Sequence, residues 1–156
     1  MKKIIPFALL LTLVLTTVTG CFTTNGTFPQ PSADFTPRQT YSVSYDKLWN
    51  GILDALDKNR ITAISVDKAS GIIETDYIAG PSRFMVVAAQ STRYKSTITA
   101  RSQYDGTVKM HVICKVESTM NGSAGSSQWS DVTPQNTVLA SKLETWLYEQ
   151  IEPEFK

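Results

Sequence analysis

One histidine and two cysteines are scant material for catalysis or metal binding in a 156-residue chain. His111 falls on the outward row of an alternating segment, between Lys109 and Ile113. A nucleophile–base–carboxylate set would need the fold to bring a serine beside it, so the expectation is a solvated side chain and no catalytic residue. One imidazole and one buried thiol are too few ligands for a metal, and no C-x-x-C or H-x-x-x-H spacing occurs. Glu74 and Asp76 share one strand face and could act as paired carboxylates, though a solvated outer face explains them as well. The groups suited to recognition are Lys95, Arg101, Lys109 and Lys115, all expected on the outer face of one hairpin. There they could meet anionic headgroups or an acidic protein surface. Trp129 follows a Gly/Ser-rich loop and is either a packed lid or an exposed contact residue.

The residue with the most chemistry is Cys21. Ahead of it lie Lys2 and Lys3, an apolar run from Ile4 to Val18 and the small residue Gly20. As a helix this run would rise about 22 Å, short of the ~30 Å hydrocarbon core, which makes residues 1–20 a signal peptide and not a span. Gly20-Cys21 resembles the bacterial lipobox. The resemblance implies cleavage between the two, diacylglycerol on the thiol and an acyl chain such as palmitate on the new amino group. No other cofactor is expected. In diderm bacteria the usual sorting rule retains lipoproteins with Asp after the cysteine at the inner membrane. Phe22 therefore implies the outer membrane, with the domain facing the periplasm.

Residues 21–38 are rich in Thr, Pro and Gly without apolar period, and read as a lipidated tether of at most about 60 Å. Residues 39–156 suit one domain. Loss of Lys2 and Lys3 takes the formal charge from +1 to −1 (13 basic against 14 acidic residues), which gives no electrostatic case for nucleic acid. With Cys21 lipidated, Cys114 has no disulfide partner and is expected in the core.

The elements that must position these residues follow from periodicity. Tyr41–Tyr45 alternates as a strand, and Leu48, Trp49, Ile52, Leu53 and Leu56 form the stripe of a helix over Asp46–Lys58. Ser44 is its cap and Asn59 a left-handed terminator. Strands follow over Ile61–Val66, Ile72–Ile78 and Arg83–Gln90, with Gly80-Pro81 as a break. Residues 94–104 and 108–117 then form a hairpin. A two-residue Asp105-Gly106 turn would set the apolar rows on opposite faces, so a three-residue loop with Gly106 left-handed is required. After the Asn121–Ser127 loop, Thr133-Pro134 opens a helix with Val138, Leu139, Leu143, Trp146, Leu147, Gln150 and Ile151 on one stripe, ended by Pro153. The order β-α-β-β-β-β-β-α predicts an α+β fold, a curved antiparallel sheet with the C-terminal helix on one face.

This order is similar to the helix-grip arrangement. More narrowly, the chain resembles the BamC (NlpB) outer-membrane lipoproteins, with one domain in place of two. Tyr45-Asp-Lys-Leu-Trp49 with Leu53 and Leu56 matches the first helix. Val66-Asp-Lys-Ala-Ser-Gly71-Ile-Ile-Glu-Thr75 matches a hairpin, and Leu139–Ile151 the closing helix. The resemblance implies a non-enzymatic accessory or scaffold role on an envelope complex, with an envelope protein as partner. The alternative is a small-molecule or lipid binder with a cavity between sheet and helix, lined by Ile98, Val112, Val86 and Leu143, where small inward residues (Ser96, Ala100, Ser102, Ala88) leave space.

Overall fold

The structure is a computed structural model and describes residues 27–84, 88–122 and 128–156. Gly20, Cys21 and the signal segment lie outside these residues, as do Val86 and the side chain of Ala88. The chain is α+β, with a seven-stranded antiparallel open sheet and a C-terminal helix. The strands are β1 (Thr40–Tyr41), β2 (Ala63–Asp67), β3 (Ile72–Thr75), β4 (Ile78–Phe84), β5 (Ala88–Ser102), β6 (Val108–Gly122) and β7 (Ser130–Asp131). The helices are α1 (Tyr45–Lys58) and α2 (Thr137–Ile151). The sheet order is β1-β6-β5-β3-β2, with β4 also paired to β5 and β7 to β6.

The long β5–β6 hairpin is the spine, and its register is the expected one. Ser102 faces Val108 and Ala100 faces Met110, while the Gln103 carbonyl accepts from Gly106 N–H at 3.2 Å. Gly106 has φ +79°, the left-handed residue of a three-residue loop. Tyr94, Ser96, Ile98, Ala100, Val108, Met110, Val112, Cys114 and Val116 therefore all face the core. Both helices cover that same face: Leu48, Ile52 and Leu56 of α1 pack with Leu143, Leu147 and Ile151 of α2. Ile98, Val112 and Leu143, the residues expected to line a cavity, are themselves 0–2 % exposed. A cleft of about 340 Å³ lies instead at the start of α2, lined by Phe28, Thr92, Val116, Val132 and Leu139 among others.

Several boundaries differ from expectation. Gly80-Pro81 does not break the chain; it sits inside β4 at a bulge between Ala79 and Ser82, where a proline lacking an N–H is tolerated. Asp76 lies past the end of β3, in the two-residue link to β4, so it does not share a strand face with Glu74. Ser44 does cap α1, accepting from Lys47 N–H at 3.2 Å, but the left-handed residue after the helix is Arg60 (φ 57°), not Asn59. Thr133-Pro134 opens a 3₁₀ turn rather than α2.

That displacement has a cause. The Thr133 hydroxyl accepts from Val116 N–H (2.9 Å) and donates to its carbonyl (3.3 Å), completing the edge of β6. Farther along this edge the Glu144 carboxylate accepts from Cys114 N–H (3.1 Å), and Tyr148 bonds both Val112 and Met110. Side chains of α2 and its leading turn thus stand in for a strand along β6 between β1 and β7. Such an edge is closed to pairing with another chain.

From Phe28 to Arg38 the segment before β1 is laid against the domain, where a free tether was expected. Phe28 packs on Tyr94 with ring centroids 6.0 Å apart, Ser32 bonds the Glu149 carboxylate, and Phe35 joins the core. Arg38 N–H donates to Glu152 (3.3 Å), which also accepts from the Tyr41 hydroxyl (3.1 Å) and pairs with Lys156 (2.8 Å). Half-buried aromatic rings packed on the core outweigh the polar Thr/Pro composition here.

Candidate functional site

The outer sheet face carries the cationic residues, and the structure divides them into two groups. At the end of the sheet near β7, Glu117 is 6 % exposed although it lies on the outer face. It is covered by its partners. Arg93, directly opposite on β5, donates from Nε (2.9 Å) and Nη2 (2.7 Å) to one carboxylate oxygen. Lys115 (3.0 Å) and the Tyr77 hydroxyl (2.9 Å) donate to the other. The Arg93 guanidinium lies between two rings, 3.7 Å from the centroid of Tyr77 and 4.0 Å from that of Trp129. Burial alone would push the Glu117 carboxyl up, but the hydrogen bonds from Arg93, Lys115 and Tyr77 outweigh it and bring it down to about 2.

Trp129 is thus a packed lid on Arg93. Lys115 is committed to Glu117 and, at 3.6 Å, to Asp131, while Lys95 stands 5.5 Å from the Tyr77 ring. Of the four expected recognition cations, half-exposed Lys115 is paired with acids of the fold and Lys95 has the Tyr77 ring beside it. Sequence spacing could not reveal this, because Arg93 and Glu117 come from two strands and Tyr77 and Trp129 from two separate connections.

At the hairpin tip the situation is reversed. Arg101 and Lys109 are exposed, face each other directly across β5 and β6, and have no ion-pair partner among the described residues. His111, also exposed, is two residues on along the same face, with its carbonyl accepting from Thr99 at 3.5 Å. Together with Gln39, Thr99 and Gln103 these residues line a shallow recess of about 310 Å³.

Cys114 is buried, as expected, with its sulfur 3.1 Å from the Ser96 hydroxyl. Burial pushes its thiol up to about 12, which makes it a packing residue and a poor nucleophile. No cluster of three or more metal-ligating side chains occurs among the described residues, and none of their helices is long and apolar enough to cross a membrane. Edge strand β2 differs from β6: Ile64 and Val66 are 58 % and 50 % exposed, and its outer edge pairs with no strand among the described residues. No protein-family model matches this chain, and no curated protein matches it significantly.

Proposed function

We propose that this chain is a lipid-anchored lipoprotein of the bacterial outer membrane. Its domain, helix-grip-like and similar to BamC, serves as a non-enzymatic accessory or scaffold module facing the periplasm. The observation that carries this reading is Gly20-Cys21 in register behind a basic and apolar leader, followed by a domain that takes up its own N-terminal segment from Phe28 onward. Two or more acyl chains give stable anchoring. From Cys21 to Phe28 the chain reaches at most about 25 Å even when fully extended, so the anchored domain works close to the bilayer.

The surfaces offered to an envelope protein are the β2 edge and the outer sheet face, where Ile113 is 50 % exposed. Main-chain groups on an unpaired edge supply affinity for an added strand, and Ile64 and Val66 supply contacts. A photo-crosslinking side chain at Val66 or Ile113 in living cells is expected to give a discrete adduct with an envelope protein. Reproducible recovery of no adduct from either position contradicts the scaffold reading. The second reading, a small-molecule or lipid binder, draws its support from the cleft beside Phe28 and Leu139.

A further inference from the structure

The two unpaired cations at the hairpin tip present a cost without a visible return. Like charges directly opposite on neighbouring strands repel, and a fold gains nothing from holding Arg101 against Lys109. Neither Asp105 in the hairpin loop nor Asp67 at the end of β2 forms an ion pair with them. Asp105 accepts from Thr107 N–H (3.0 Å) and its hydroxyl (2.7 Å), and Asp67 accepts from Ser70 N–H (3.0 Å). Glu74 shares the outer face but lies opposite Thr97, about 13 Å along β5 from Arg101. By contrast, Arg93 and Lys115 on the same face share Glu117, with Asp131 as a second acid beside Lys115, and Lys95 opposite Lys115 stands over the Tyr77 ring.

The surroundings are rich in donors. Gln39 has its backbone carbonyl tied to Met110 N–H (2.7 Å) and its side-chain amide unpartnered among the described residues. His111 adds a ring N–H group, whereas the Gln103 amide is turned back on the Arg101 and Ser102 carbonyls (3.3 and 3.5 Å), and the recess of about 310 Å³ holds a small group, not a folded surface. Convergent donors around an arginine suit a ligand with several acceptor oxygens on one centre. We propose that Arg101 and Lys109, flanked by Gln39 and His111, bind a phosphoryl oxyanion, carried either by a soluble phosphate or by a lipid headgroup. Binding converts the cross-strand repulsion into two attractions. The proposal does not depend on how the chain is anchored.

The test uses the full chain with Cys21→Ala, so that an acyl group on that residue cannot contribute. Pyrophosphate is titrated while backbone amide shifts are followed, and vesicles of phosphatidylglycerol are compared with vesicles of phosphatidylcholine in co-sedimentation. Pyrophosphate is expected to move the amides of Arg101, Lys109 and His111, and Arg101→Gln with Lys109→Gln is expected to weaken binding at least roughly tenfold. Because both side chains are exposed, the double variant should melt no lower than the parent. Phosphatidylglycerol binding without a pyrophosphate response, again lost in the double variant, assigns the site to headgroups. Binding to neither probe, binding unchanged by the double variant, or binding only to a poly-glutamate peptide overturns the proposal.

Discussion

The hydroxyl of Tyr148 completes the strand edge at Val112: it accepts the Val112 N–H at 3.2 Å and donates to the neighbouring Met110 carbonyl at 3.1 Å. A helix side chain therefore does the work of a missing strand inside the core, where Tyr148 is 4 % exposed. Buried main-chain groups without partners cost about 1–3 kcal/mol each. Tyr148→Phe keeps the ring and removes both bonds, so denaturant unfolding should show a loss of about 2–4 kcal/mol. Hydrogen exchange should quicken at Val112 more than at Ile98. A loss below about 0.5 kcal/mol would show that the edge does not rely on this hydroxyl.

Glu117 sets how the fold answers acid. Its folded value of about 2 lies below the ordinary 4.5, so its contribution is complete above pH 4.5 and is lost as the pH falls towards 2. Glu117→Gln removes the ion pairs and leaves Arg93 between its two rings. The variant should lose about 2 kcal/mol at neutral pH, a figure held down by the half-exposed Lys115. Between pH 4.5 and 2 its stability should fall less steeply than that of the parent. Parallel slopes in urea titrations over that window would contradict the ion-pair assignment.

Two left-handed glycines separate backbone strain from crowding. Gly106 (φ +79°) has open space where a Cβ would stand, whereas at Gly71 (φ +69°) a Cβ would lie 2.1 Å from the Ala100 carbonyl oxygen. Gly106→Ala should cost only the conformational term of about 1–2 kcal/mol. Gly71→Ala must also push β5 away from the β2–β3 turn, where Ala100 N–H donates to the Gly71 carbonyl at 2.8 Å. Its loss should exceed that of Gly106→Ala by at least about 1 kcal/mol in thermal or chemical unfolding. Equal losses would contradict the close approach.

The parts legible in the sequence are those governed by local period. The alternation on both sides of Asp105-Gly106 dictates the loop length, because a one-residue slip would turn Ile98 and Val112 to opposite faces. The α1 stripe and the burial of Cys114 follow in the same way. What period cannot show is side chains that complete distant backbone. Tyr148 lies off the expected α2 stripe, and Val138, placed on it, is 70 % exposed. The helix turns so that Glu144 and Tyr148 reach β6. Phe28 and Phe35 sit amid Thr and Pro without a period, so their packing was illegible. The recognition cations were identified by residue type, but only three-dimensional pairing separates Arg101 and Lys109 from Lys95 and Lys115.

The central claim is that Cys21 anchors this domain to a membrane by its lipid. The direct measurement is fractionation of cells expressing the parent chain and its Cys21→Ala variant, with intact mass of the purified parent. The parent is expected in the outer-membrane fraction, with an N-terminal Cys21 carrying diacylglycerol and an acyl chain, and the variant in the soluble fraction. A parent without lipid mass, or a Cys21→Ala variant that still sediments with membranes, would contradict it.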